Sequence, residues 1–164
     1  MTDQIDVSER ELKAFARFLK LLPHGRDREL VILKAHLLVE EQLRQLIAER
    51  VRNREALLKA RLTFSQCVAV ARAFFPAGHD PGLWKGLQQI NEIRNAFSHQ
   101  LSPARIEERI AAFSASMQPN GPMNADQAVN FELALWSLFV SVAHLLERPS
   151  ARVLRLVPRV LDRS

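Results

Sequence analysis

Apolar residues recur at intervals of three and four through most of the chain, and the residues that interrupt them are ones that start or stop helices. The first stripe is Leu12, Phe15, Phe18, Leu19 and Leu22. Ser8 followed by Glu11 has the spacing of a capping box ahead of this stripe, and Pro23 stops it, so a helix is expected over 9–22. Asp27 can cap a second, longer helix whose stripe of Ile32, Ala35, Val39, Leu43 and Leu46 ends near Arg50. Between 51 and 62 the pattern turns charged, and it fits either a continuation of that helix or a short separate turn.

Thr63 and Gln66 form another capping box, ahead of Phe64, Val68, Ala71 and Phe75, and Pro76-Ala77-Gly78 then breaks the chain. Asp80-Pro81 places a capping residue before a proline at the first helical position, and Leu83, Leu87, Ile90 and Phe97 follow on one face. Ser102-Pro103 repeats that start for Ile106, Ile110 and Phe113, after which Gln118-Pro119-Asn120-Gly121-Pro122 reads as a turn-rich loop. Asn124 with Gln127 opens a last long helix that is apolar on nearly every face from Phe131 to Leu146. Such a helix belongs in the centre of a bundle or at a subunit interface.

Only Val153, Leu154, Leu156, Val157 and Val160, around Pro158, could be extended. The expected fold is therefore all-α: a single-domain antiparallel bundle of about five to seven helices over 1–147, followed by an arginine-rich tail over 148–164. No internal repeat or low-complexity tract divides the chain.

Composition narrows the class further. At 164 residues, 48% hydrophobic and 25% charged, the chain can bury a real core and is too apolar to be disordered. The formal charge of +5 suits an anionic partner such as nucleic acid. Arginine carries most of that charge, with only five lysines, and its planar fork favours bidentate contact with phosphate. Codon usage in a GC-rich genome would produce the same bias.

A lone cysteine, Cys67, excludes an internal disulfide framework and a cysteine-based zinc cluster. The start Met1-Thr2-Asp3-Gln4-Ile5-Asp6 is acidic and polar, unlike a signal peptide, and no apolar run is read as long enough to span a bilayer. A cytoplasmic protein is expected.

The one stretch with the look of chemistry is Glu92-Ile93-Arg94-Asn95-Ala96-Phe97-Ser98-His99. It offers a fixed cation, a hydrogen-bonding amide and a ring that titrates near neutrality, which together suit a phosphodiester. On one unbroken helix, at about 100° per residue, Arg94 and His99 would diverge by about 140°. Either the helix ends near Ser98 and lets His99 swing round, or a second copy of the site faces the first across a dimer. Asn95 and His99 are four apart and share a face.

These residues carry a family resemblance. Arg94-Asn95-x-x-x-His99 at the end of an amphipathic helix resembles the Arg-x4-His signature of HEPN-fold proteins. The branch of mannitol operon repressor-like proteins is more similar still, through Leu62-Thr63-Phe64-Ser65-Gln66-Cys67, Glu40-Glu41-Gln42-Leu43 and the run from Ile93 to His99. The resemblance spans roughly 28–115, and the His99 motif is its most specific part. It implies a metal-independent endoribonuclease acting as a homodimer without a cofactor, with RNA as substrate, possible membership of a toxin–antitoxin pair and a composite active site. His99 would be the general acid/base, Arg94 the holder of the scissile phosphate, Asn95 an accessory polar group, and Glu40 or Glu41 the acid that orients them. Other members of the branch are non-catalytic regulators or adaptors that act through protein or nucleic-acid contacts, sometimes with an antitoxin or regulatory partner.

The plainer reading of the same residues is a structural helix end, in which Arg94 pairs with an acid such as Glu40 and His99 caps exposed carbonyls. His36 and Glu40, four apart, could hold two ligand positions of a metal, but two without a third make a packed pair, and no metal is expected. His144, inside the apolar last helix, reads as a hydrogen-bonded core or interface residue. The tail arginines Arg148, Arg152, Arg155, Arg159 and Arg163 recur at three and four. Arg152, Arg155 and Arg159 are candidates for tracking RNA phosphates, with a solvated face the more common use of such a run and docking on an acidic protein a third. No Ser-His-Asp elbow and no helix-turn-helix with a polar recognition helix is present.

Overall fold

Most of the described helix starts are held by a side chain that accepts from a first-turn N–H group, which would otherwise have no partner. In the computed structural model, which describes residues 9–23, 27–99, 102–118 and 126–147, seven helices follow one another: α1 (Glu9–Leu21), α2 (Arg28–Arg50), α3 (Arg54–Lys59), α4 (Phe64–Arg72), α5 (Pro81–Ser98), α6 (Pro103–Met117) and α7 (Gln127–Glu147). No strand occurs among the described residues. The protein is an all-α helical bundle.

Asp27 accepts from the Glu29 N–H at 2.9 Å and opens α2, as its position before the second stripe suggests. Thr63 and Gln66 form both halves of a capping box at the start of α4. Asp80 accepts from the Leu83 N–H at 3.0 Å with Pro81 at the first position of α5, and takes a left-handed φ of 39°, a conformation that Asp tolerates better than most residues. Ser102 precedes α6 in the expected place, but its side chain makes no capping bond. Asp126 starts α7 by accepting from the Ala128 N–H at 2.8 Å.

The charged stretch after α2 resolves as a separate element. The chain leaves α2 with Val51 in extended conformation, and Asn53 caps the short α3, which buries none of its residues. Ser8, the side chains of Glu11 and Phe15, the loop over 119–125 with Asn124, and the tail with its arginines lie outside the described residues.

α7 packs against α1, α2, α5 and α6, so the most apolar helix is the central one. Its 21 residues have a window of mean hydropathy 1.6, which is long and apolar enough to cross a membrane by length and composition, contrary to the expectation that no run reaches that length. The apolarity has another use here. Phe131, Leu135, Leu138, Phe139 and Val142 are all buried among the neighbouring helices. The helix surrounded on several sides needs apolar residues on several faces.

α5 lies against α6, α4, α2 and α7. At Gly86 a Cβ would fall 2.5 Å from Met117 Sδ and 3.2 Å from Leu138 Cδ1, so a larger residue there would have to displace the Met117 side chain that packs over it. Leu87, Ile90 and Ile93 are fully buried and fix the rotation of α5. That rotation decides which polar residues of α5 reach the surface. α1 departs from its expected stripe: Phe18 and Leu22 are buried, while Leu12 and Leu19 are exposed because α1 covers only one edge of α7 and α2.

Candidate functional site

α5 ends at Ser98, inside the run from Ile93 to His99. His99 donates its backbone N–H to the Asn95 carbonyl at 2.9 Å but has φ −95° and ψ 11°, so the regular helix stops at Ser98 and His99 is its C-terminal cap. Ser98 Oγ donates to the Arg94 carbonyl at 3.2 Å, satisfying one of the last-turn acceptors. Arg94 and His99 are exposed and Asn95 is half-buried.

The Arg94 guanidinium is held by an amide. Its Nη1 donates to Asn95 Oδ1 at 3.0 Å, and among the described residues no carboxylate lies within ion-pair distance of it. The structural reading in which Arg94 is neutralised by Glu40 therefore does not describe this helix end. Nor does the His99 ring bond a carbonyl among the described residues. An exposed guanidinium with a neutral partner keeps its full charge for an anion.

Glu40, expected to orient Arg94 and His99, is engaged elsewhere. Its Oε1 accepts from Arg44 Nη2 at 2.6 Å and from Arg44 Nε at 3.0 Å, and that same Nη2 also donates to the Leu62 carbonyl at 2.6 Å. The reason is local: an arginine four residues after a glutamate on one helix is the nearest and best-placed partner. Glu41, the alternative, binds Arg17 of α1 through both oxygens at 2.9 and 2.7 Å. Neither acid touches the motif.

The residue that connects α2 to α5 is His36, which the sequence offered only as half of an improbable metal pair. It is buried against Phe64, with ring centroids 4.1 Å apart and the planes tilted by 32°. Its Nε2 lies 3.3 Å from Asn91 Oδ1, and Asn91 Nδ2 in turn donates to Ser65 Oγ at 3.2 Å. With the amide oriented this way, Nε2 is the protonated nitrogen and Nδ1 faces Glu40 Oε2 at 3.9 Å. A polar line thus runs from α2 through α5 to α4. Its only sequence signal was His36 lying beside the buried stripe of Ile32, Ala35 and Val39.

Burial pushes the His36 imidazole below its usual value of 6.5, the Arg94 charge adds to the lowering, and the Asn91 hydrogen bond and Glu40 carboxylate oppose it. The folded protein therefore holds His36 neutral, whereas the unfolded chain binds a proton below about pH 6.5. Stability from this site is complete above that pH and falls as pH drops from there toward the lowered folded value. The melting temperature is expected to decline as pH falls below about 6.5, and His36→Gln, which keeps a donor for Asn91, to flatten that decline. An identical pH slope in the variant would remove His36 as its source.

Beside this line, α4 and α5 enclose an open groove of about 570 Å³, with Phe64 and Val68 in its floor and Ser65, Arg72, Gln88 and Asn91 around it. Gln88, Asn91, Asn95 and His99 fall within one narrow stripe of α5 at about 100° per residue. Asn95 and His99 thus lie in line with the groove, while Arg94 stands about 100° round the helix from Asn95.

Other candidates fall away for physical reasons. Cys67 is fully buried and burial pushes its thiol up, against a smaller opposite pull from Arg44, so it is a poor nucleophile. His144 is exposed on α7, which corrects its reading as a core residue: the apolar faces of α7 are wide but leave that side open. Among the described residues, no three His, Cys, Asp or Glu side chains gather as a metal site. Comparisons with protein-family models, with curated proteins and with solved structures find no match to this chain.

Proposed function

We propose that this protein is a metal-independent endoribonuclease of HEPN type, in which Arg94, Asn95 and His99 form half of a site that a second copy completes. The observation that carries the reading is the free helix end: an exposed histidine at the terminus of α5, and an exposed arginine held by an amide and neutralised by no described acid.

The chemistry asks for one group to take a proton and one to give it. The RNA 2′-oxygen attacks the adjacent phosphorus, so that the P–O2′ bond forms as the P–O5′ bond breaks. Neutral His99 of one copy accepts the 2′-OH proton, and protonated His99 of the other gives a proton to the departing 5′-oxygen. Arg94 binds the non-bridging oxygens, whose charge grows as the fifth bond forms, and Asn95 fixes the guanidinium. The products are a 2′,3′-cyclic phosphate and a 5′-hydroxyl.

An exposed apolar stripe supports the dimer. Leu30, Leu33 and Leu37 on α2 are 41%, 39% and 51% exposed. At about 100° per residue they lie on the side of α2 that carries Glu40 and Arg44, next to the His36 edge that senses the Arg94 charge. Burying that stripe against its own copy would bring two α5 termini toward one another. The test is incubation of single-stranded RNA with the purified protein in EDTA, followed by analysis of the ends. Cyclic phosphate and 5′-hydroxyl ends are expected; intact RNA overturns the reading.

A further inference from the structure

We propose that the groove between α4 and α5 is a nucleotide-reading subsite of the same enzyme, in which one RNA base beside the scissile bond is seated and discriminated by Ser65, Gln88 and Asn91 while Arg72 holds a phosphate. The inference rests on the nuclease reading and extends it from the reacting phosphate to the choice of sequence.

Hydrogen-bonding capacity is the first argument. The Asn91 amide uses one acceptor position toward His36 and one N–H toward Ser65, which leaves one of each unused. Ser65 accepts from Asn91, so its own hydroxyl hydrogen is free to donate. Gln88 is exposed, and its side chain has no hydrogen-bond partner among the described residues. Amides present a donor and an acceptor side by side, the arrangement that matches the edge of an unpaired base. The buried His36 behind Asn91 sets that amide's orientation and so its pattern.

Charge and shape are the second. Arg72 is exposed and makes no ion pair among the described residues, and Glu92, the acid on the rim, is taken by Arg109 at 3.1 Å. The groove is therefore open to a phosphate. Its volume of about 570 Å³ is in the range of sites for small ligands. An amphipathic helix would fit it poorly, because the floor residues Phe64 and Val68 are only 7% and 8% exposed and offer little apolar surface to cover.

Position is the third argument. From Asn91 to His99 is eight residues, or roughly 12 Å along the axis of α5, with Asn95 between them on the same stripe. A strand laid along α5 with its scissile phosphate at His99 places a nearby nucleotide over the groove.

The experiment uses full-length His99→Ala, which on the nuclease reading binds RNA without cutting it, and measures its affinity for short labelled oligonucleotides of oligo-U, oligo-C and oligo-A by fluorescence anisotropy. One base is expected to bind at least about tenfold more tightly than another, the discrimination of a good bidentate pair. Adding Gln88→Ala should reduce that preference, and adding Arg72→Ala should weaken all three alike with a shallower salt dependence. Both positions are exposed, so their variants fold even if replacement of Asn91 does not. Equal affinities untouched by either variant, or no binding at all, would overturn the subsite. Cleavage by the wild-type protein is read separately: selective binding without cleavage removes the nuclease and keeps the groove, and cleavage without selectivity does the reverse.

Discussion

His99→Ala is expected to lower RNA cleavage in EDTA by about 10²–10⁴-fold, the usual contribution of a positioned acid/base. The loss should appear in kcat with KM little changed, because the ring acts on protons in flight and adds little to ground-state binding. His99 lies at the exposed end of α5 and contributes to the fold only its backbone bond to Asn95, which alanine preserves. Helical content and melting temperature should therefore match the wild type. Arg94→Ala should cost about 10²–10³-fold, as for removal of one group that stabilises developing charge. Arg94→Lys should recover only part of that, since an ammonium cannot offer two parallel donors while keeping the amide bond to Asn95. Equal rates for His99→Ala and the wild type would leave the α5 terminus without catalytic meaning.

Phe113→Ala is the substitution expected to do most damage to the fold. Phe113 is fully buried on α6 and meets Phe131 of α7 edge to face, with centroids 6.0 Å apart. Truncation leaves a cavity where α6 packs on α7, and phenylalanine-to-alanine changes at such sites cost about 3–5 kcal/mol. Against a total stability of about 5–15 kcal/mol for a typical domain, that is a third or more. Urea unfolding should show a much lower midpoint with an unchanged slope. Phe113→Leu, which keeps most of the volume, should lose well under half as much. A loss below about 1 kcal/mol for the alanine variant would mean that α6 is not clamped to α7 as described.

Helix starts were readable because capping is local chemistry. Asp27, Thr63 with Gln66, and Asp80 with Pro81 act within three residues of themselves, and each opens the helix that its spacing implies. The end of α5 at the motif was readable from the apolar stripe that runs out at Phe97, though not the residue at which it stops. Nothing in Ser98-His99 resembles a glycine stop, and the termination is seen in the backbone angles of His99.

Side-chain partners were harder to read, because competition decides them. Glu40 had two suitors in the sequence, a distant Arg94 and an Arg44 one turn away, and the local pair forms. His36 could not have been assigned from spacing at all, since its partner Asn91 is 55 residues away and on a different helix. The groove is of the same kind: Ser65 and Arg72 share a surface with Gln88 and Asn91 only once α4 lies along α5. Apolarity left a choice that the packing decides. The run in α7 reads as central in a bundle or at a subunit interface; within this chain it is central, and His144 and Leu133 lie on the side it leaves open.

The central claim, that Arg94, Asn95 and His99 are half of a site, concerns the distance between two copies. With Cys67 replaced by alanine and a spin label attached at Ser98→Cys, beside His99 on the exposed end of α5, dipolar electron resonance reads that distance in solution. At concentrations where RNA is cut, the account predicts strong coupling at a short separation, one from which both rings reach a single phosphate. Active protein whose labels show no coupling, or stand at opposite ends of a dimer, would contradict it.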